Sequence, residues 1–450
     1  MLPMRPLRLL ATSATLLFAA AIALAAPLAL PPLDYTERVL PNGLQVITAE
    51  AHGSPTVSVQ VWYHVGSKDD PAGRSGFAHL FEHLMFKGTR YMKAEQLDRL
   101  TEDVGGNNNA FTADDMTAYQ EVVPSNHLET LLWAEAERMS NLKVDDAAFK
   151  SERSVVEEEY RQRILASPYG RFFNAVGAQA YQVHPYKRPG IGSIEDLEAA
   201  TLDDVRAFHS TYYRPENATL VVAGDFDPKQ LQAWVDKYFG PVPKLNTPIP
   251  RVHADEPRWS ADRRIAVTGP QVPLPAVALV WQVPAVTSAD APALRVAAAL
   301  LSAGESARLN QALVYRQQIA SQAGAEADLR AGPSQLTAYA VAAGGKPLEA
   351  VEKALLAEVQ RLGERPVSAA ELAKVKLQML TGSLSERQTP LGQASALAEA
   401  AVLHGDTAKV NRLLDELQHV SAADVQRVMR RYVVGAHRVA FTYTQEADKK

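Results

Sequence analysis

The segment Ser75-Gly76-Phe77-Ala78-His79-Leu80-Phe81-Glu82-His83-Leu84-Met85-Phe86-Lys87-Gly88-Thr89 places two imidazoles and a carboxylate within five residues of an otherwise apolar run. On a helix, His79 and His83 stand at i and i+4 and leave the same face. Two rings so placed can meet a single divalent cation. Glu82 lies beside that face but is offset around the helix. It can reach a water on the cation without being a ligand. Phe77, Leu80, Leu84 and Phe86 are left to bury the other faces. Ser75 is expected as the N-cap, Lys87 in the last turn and Gly88 just past the end.

Two histidines do not complete a catalytic metal site, and with two His a carboxylate is the usual third ligand. The chain has no cysteine, so disulfides and thiolate ligands are excluded. The acidic stretch Phe149-Lys150-Ser151-Glu152-Arg153-Ser154-Val155-Val156-Glu157-Glu158-Glu159-Tyr160 follows a helical pattern. Glu152, Val155, Val156 and Glu159 share a face at i, i+3, i+4 and i+7. That face is expected to pack inward, which leaves Glu152 and Glu159 as inward carboxylates and turns Glu157 and Glu158 elsewhere.

The elements that must position these groups follow from the flanking sequence. Asn42-Gly43 marks a hairpin turn between strands at Glu37–Leu40 and Leu44–Ala49. Thr56 to Val65 alternates as a strand. A repeat with an offset of 220 lays Ala200–Ala223 over Val420–Tyr443 and Pro55-Thr56-Val57 over Pro275-Ala276-Val277. The same offset carries His79, Glu82 and His83 onto Ala299, Ser302 and Ala303. Polar groups that served only the fold would be expected in both copies, so the triplet points to function. The Pro-rich stretch Gly240 to Pro250, running on to about Arg258, reads as a linker. The expected division is an N-terminal domain over 34–239, a linker over 240–258 and a C-terminal domain over 259–445.

The motif H-x-x-E-H followed by Gly88-Thr89, and about 76 residues later a Glu inside E-R-x-V-V-x-x-E, resembles the pitrilysin family of zinc peptidases. Within it, the chain is similar to the mitochondrial-processing-peptidase subfamily. Leu40-Pro41-Asn42-Gly43-Leu44, Tyr213-Arg214-Pro215-Glu216-Asn217 and Ala223-Gly224-Asp225-Phe226 belong to the same match, which covers nearly all of the mature chain. The resemblance implies an α+β fold of two homologous α/β-sandwich-like halves. Each is a mixed, largely antiparallel sheet with helices packed on it, and together they form half of a clamshell. It implies that His79, His83 and Glu159 bind one Zn2+, that Glu82 is the general base, and that Glu152 orients a ligand. Gly105-Gly106-Asn107 through Tyr119 is a further match. By resemblance its strand, Asn109, Ala110, Phe111 and Thr112, is a sheet edge beside the zinc with which a peptide would pair through its backbone. The function implied is a zinc-dependent endopeptidase acting on flexible peptides or unfolded segments inside a two-subunit chamber. The alternatives are a non-catalytic or partner-dependent subunit of a peptidase complex, and a specific processing protease for a small peptide precursor.

The chain departs from the family in its second half. The expected context R-L-x-x-x-L-R-x-x-x-x-L-A-Y reads here from Arg308 to Ser321, with Val314 where an Arg and Ser321 where a Tyr is expected. A heterodimer with a zinc-free homologous subunit that supplies the Arg/Tyr pair is therefore expected.

A net charge of −5, spread without blocks, and 7% aromatic residues give no footprint for nucleic acid. Arg5 and Arg8 precede an apolar run from Leu9 to Ala25 that closes on Ala23-Leu24-Ala25, the pattern of a secretory signal peptide over 1–25. The mature chain is expected in a bacterial periplasm, not held by a membrane.

Overall fold

The Asn42-Gly43 turn joins β1 (Thr36–Val39) to β2 (Gln45–Glu50) in an antiparallel register that sets Thr36 opposite Thr48 and Val39 opposite Gln45. Gly43 adopts φ +93°, and a Cβ there would lie 2.7 Å from Glu216 Cβ, so only glycine fits. The structure is a computed structural model and describes residues 31–447. The expected signal peptide lies outside the described residues.

Four more strands complete the first sheet: β3 (Thr56–Tyr63), β4 (Asn107–Thr112), β5 (Thr117–Pro124) and β6 (Ala218–Gly224). Their order is β1-β2-β6-β3-β5-β4, with β2 and β6 parallel and the other neighbours antiparallel. The second sheet contains β7 (Arg263–Gly269), β8 (Ala276–Val283), β9 (Ala320–Asp328), β10 (Ser334–Ala342) and β11 (Val439–Gln445). Its order, β7-β11-β8-β10-β9, repeats that of the first sheet without β1, and its one parallel pair is again the crossover pair β7–β11. Two homologous mixed sheets with helices on them are thus observed. Residues 240–258 carry no helix or strand, yet they are pinned: Arg251 donates to His64 O, and Glu256 accepts from the backbone of Gln182, Val183 and His184.

The strand Thr56–Tyr63 shows how the layers meet. Val57, Val59, Val61 and Tyr63 enter the core of the first half beneath the helices of that half. Trp62 enters a second cluster on the opposite face, together with Ala394, Leu397 and Ala398 of the helix Pro390–His404. Ser58 and Gln60 on that face are buried, and Gln60 Nε2 reaches Leu391 O and Ser395 Oγ, both at 3.1 Å. The covering helix comes from the second half. In return, Phe172, Val176 and Ala180, on and just past the first-half helix Gly170–Gln179, pack against Ala276, Ala278, Val280 and Phe441 of the second sheet. Arg263 closes the end of that helix, donating to Gln179 O and Ala180 O at 2.8 and 2.9 Å. The first residues of the two exchanged helices, Gly170 and Pro390, stand at the same offset of 220 as the rest of the repeat. Each sheet is therefore roofed by the equivalent helix of the other half.

Because neither sheet can keep its second face dry alone, the two halves should unfold in one cooperative transition. Phe172→Ala should destabilise the whole chain by about 3–5 kcal/mol. Urea unfolding followed by tryptophan fluorescence and circular dichroism checks both points. Two separated transitions, only one of them moved by the substitution, would contradict the exchange.

Candidate metal centre

The helix Phe77–Leu84 buries Phe77, Ala78, Leu80, Phe81 and Leu84 and leaves His79, Glu82 and His83 on its open side. Its start is not capped by Ser75 as the sequence suggested. Ser75 N and Oγ both donate to Asp196 Oδ2, at 2.9 and 2.5 Å. The N-cap residue is Gly76, at φ +90°, where a Cβ would lie 2.7 Å from Ile191 O. The orphan amides at this end are taken by Asp70, whose Oδ2 accepts from Gly76 N and Oδ1 from Ala78 N, both at 2.8 Å. Burial pushes the Asp70 carboxyl up to about 7, against the pull of those two amides. The helix ends at Leu84, so Lys87 stands beyond its last turn. Lys87 Nζ instead reaches Glu152 Oε1 at 2.9 Å.

Opposite stands the helix Asp146–Tyr160, capped by Asp145, which accepts from Ala148 N at 2.8 Å. Phe149, Glu152 and Val156 are buried on its inner face, and Glu159 is half-buried further along. Val155, expected inside, is 46% exposed. The stripe that faces the neighbouring helix is centred between Phe149 and Glu159, and Val155 falls at its rim. Glu158 is exposed, whereas Glu157 is partly covered beside Arg153 and Arg161.

The two helices bring the predicted ligand atoms together. One ligand atom each from His79, His83 and Glu159 lie within 4.8 Å of one another. Glu159 Oε2 is 3.7 Å from His79 Nε2 and 3.4 Å from His83 Nε2. The rings are 4.9 Å apart and inclined at 79°. His79 Nδ1 is buried with no hydrogen-bond partner among the described residues. On the far side of His83, Nδ1 lies 3.7 Å from Glu152 Oε2, which places Glu152 between that ring and Lys87. Thr112 Oγ1, at the end of β4, donates to Glu82 Oε2 at 2.6 Å.

Burial, reinforced by His83 and Arg163, lowers the His79 pKa to about 3, so this ring is neutral and available as a donor at neutral pH. Burial also lifts Glu82, more than Thr112 and His83 lower it. For His83, burial opposes protonation, but Glu152, Glu82 and Glu159 outweigh it and raise the pKa. Glu152 is likewise desolvated, yet His83 and Lys87 hold it below the usual carboxylate range. Two nitrogens and one carboxylate oxygen converging on one point, with a carboxyl of raised proton affinity beside them, fit a borderline-soft divalent ion such as zinc.

The remaining predicted residues lie on β4, one of the two edge strands of the first sheet. Strand pleating puts Ala110 and Thr112 on the face toward Glu82 and puts Asn109 and Phe111 on the other. Phe111 packs edge-on against Trp62 at 5.3 Å, and Asn109 is exposed. Sequence reasoning missed Asp70, Lys87 and Arg163. Arg163 follows Glu159 at i+4, a spacing that could have signalled the pair, and its Nη1 meets Glu159 Oε1 at 2.8 Å. Nothing in the local sequence indicates the reach of Asp70 or Lys87.

In the metal-free protein the unfolded chain protonates His79 near 6.5 while the native state holds it neutral down to about 3. The part of the stability that depends on His79 should therefore be complete above pH 6.5 and be lost as pH drops through that window, by on the order of 3 kcal/mol at pH 4. His79→Asn should flatten this dependence, as read from urea midpoints at pH 7 and pH 4.

The family described as insulinase (peptidase family M16) matches residues 45–193, and the one described as peptidase M16 inactive domain matches residues 199–379. A Helicobacter pylori protein named zinc protease PqqE is 33% identical, covering 94% of this chain and 96% of that one. The crystal structure of a protease from Helicobacter pylori superposes with TM-score 0.88 at 30% identity, over 92% of this chain and 100% of that one. The periplasmic protease PqqL from Escherichia coli, 20% identical, shares the fold with TM-score 0.74, over 92% of this chain but 48% of its own. In fold, the present chain thus corresponds to one half of that longer molecule.

Proposed function

Because the chain belongs to the insulinase, or M16, peptidase family, we propose that it is a zinc-dependent endopeptidase that cleaves flexible peptides or unfolded segments. The observation that carries this reading is the convergence of His79, His83 and Glu159 within 4.8 Å, with Glu82 beside them. These three would hold the ion. Bound zinc acidifies water and polarises a carbonyl. Thr112 occupies one oxygen of Glu82, Oε2, and the other is left to take a proton from the attacking water. The water oxygen bonds to the scissile carbonyl carbon, the C–N bond breaks, and Glu82 returns the proton to the departing amine. Its raised proton affinity suits a group that must both accept and donate near neutral pH. Glu152, between His83 and Lys87, keeps the His83 ring oriented toward the ion.

The substrate is read as an extended segment that adds to the free edge of β4 along Asn109–Thr112. Backbone pairing tolerates varied side chains, so it suits peptides of mixed sequence. We divide the chain into a catalytic domain over 34–239, a linker over 240–258 and a non-catalytic domain over 259–445. Periplasmic export rests on the N-terminal leader pattern. Among the described residues no helix is long and apolar enough to cross a membrane.

A partner subunit completes the chamber in this reading. Val314 and Ser321 stand where an Arg and a Tyr are expected, and Arg308 is engaged by Glu371 through two hydrogen bonds at 2.6 and 2.8 Å. A zinc-free homologue facing the site would supply the missing pair.

Glu82→Gln should retain zinc while kcat on a casein or peptide substrate falls about 10²–10⁴-fold. Glu159→Gln should lose the zinc itself, as metal analysis would show. Normal proteolysis by Glu82→Gln would refute the assignment. Purified alone, the chain should turn over slowly, and activity should rise when the homologous partner is added. Robust activity as a homodimer in sedimentation-matched assays would contradict the heterodimer.

A further inference from the structure

The equivalent hairpins of the two halves meet tip to tip. The turn between β4 and β5, residues 113–116, lies against the turn between β9 and β10, residues 329–333. Asp115 is buried there with both oxygens in use: Tyr186 Oη donates to Oδ1 at 2.6 Å and Ala331 N to Oδ2 at 3.0 Å. Asp114 Oδ1 accepts from Ser67 Oγ at 2.6 Å, and its Oδ2 is 3.1 Å from Arg330 Nη1, an ion pair without hydrogen-bond geometry.

Arg330 is a fixed post rather than a surface side chain. Its Nε and Nη2 both donate to Asp328 Oδ2, at 2.9 and 2.5 Å. Its guanidinium lies over the rings of Tyr181 and Tyr186, 5.3 and 4.8 Å from their centres. Its own amide donates to Ser334 Oγ, and its carbonyl accepts from Val286 N, both at 2.9 Å. The turn it grips begins directly after Thr112, whose hydroxyl holds Glu82. Among the described residues β4 has only β5 as a neighbour along the ladder, so its last residues depend on the turn for their place. A second connection runs through Ser67 and Lys68, whose amides donate to Ala113 O and Asp114 O at 3.1 Å. Two residues beyond Lys68 is Asp70, which caps the helix that bears His79.

We propose that Arg330, on the half that carries no metal ligand, is a positioning residue for the reaction: by holding Asp114 it fixes the end of β4, keeping Thr112 on Glu82 and the strand edge in place for the peptide. This rests on the reading of Glu82 as the base and β4 as the substrate edge. It gives the second half a task within the same chain, separate from any partner subunit.

The test uses the full mature chain loaded with zinc, a fluorogenic peptide and amide hydrogen exchange. Arg330→Gln should keep its zinc and lose about tenfold in kcat/KM. It should exchange the Asn107–Thr112 amides faster at a temperature well below its unfolding midpoint, while Phe77–Leu84 stays protected. Arg330→Lys, which keeps a charge opposite Asp114, should recover part of both. If Arg330→Gln does not fold, Asp114→Asn carries the same measurements with only the ion pair removed. A lowered midpoint with wild-type kcat/KM and unchanged β4 exchange would reduce Arg330 to a stabilising contact and overturn the proposal. A wild-type chain that stays inactive even with the homologous partner added would instead sink the peptidase reading, and the exchange arm would still decide whether Arg330 holds β4.

Discussion

Everything at the centre turns on two carboxylates laid across two imidazoles where the helices Phe77–Leu84 and Asp146–Tyr160 meet. Buried charge is costly unless it is paired. Glu159 is therefore held between the two ring nitrogens and Arg163, and Glu152 between His83 and Lys87. The arrangement leaves one group unserved. His79 is kept neutral by its surroundings, with Nδ1 buried and unpartnered. A site whose donors are desolvated and aimed at a shared point is prepared for a cation rather than for a core.

The helix that presents these groups is itself held from outside. Its first amides are satisfied by Asp70, from a segment braced by Arg188, which donates to the carbonyls of Asp70 and Lys68. Its Glu82 is steadied by a hydroxyl from the sheet edge, and that edge is anchored through a turn to the other half. The local chemistry thus depends on contacts made far along the chain. Such support holds side chains to a narrow geometric tolerance.

The duplication explains both what the halves share and where they differ. Apart from β1, the two sheets have the same strand order, and each is closed by the equivalent helix of its twin. In the second half the positions of His79, Glu82 and His83 fall on Ala299, Ser302 and Ala303. There the helix Ala291–Ser302 is largely buried and can be packed with alanine and leucine. Ala299, Ser302 and Ala303 nevertheless stay partly exposed, so the two copies present equivalent open faces and only the first carries the polar groups.

The sequence by itself determined the motif, the helices that carry His79, His83 and Glu159, and the repeat. These are local periodicities: an i, i+4 histidine pair, a carboxylate stripe, a fixed offset of 220. It misjudged features settled by distant partners. Ser75 has the right chemistry for a cap but is claimed by Asp196, and Asp70 caps in its place. Val155 fits the spacing of an inward face but falls at the rim, because the neighbouring helix meets only the middle of the stripe. The exchange of helices between halves, the grip of Lys87 on Glu152 and the post at Arg330 could be decided only by the tertiary structure. They join residues tens to hundreds of positions apart, and which surfaces become neighbours there is set by how the two sheets must be covered, not by any local pattern.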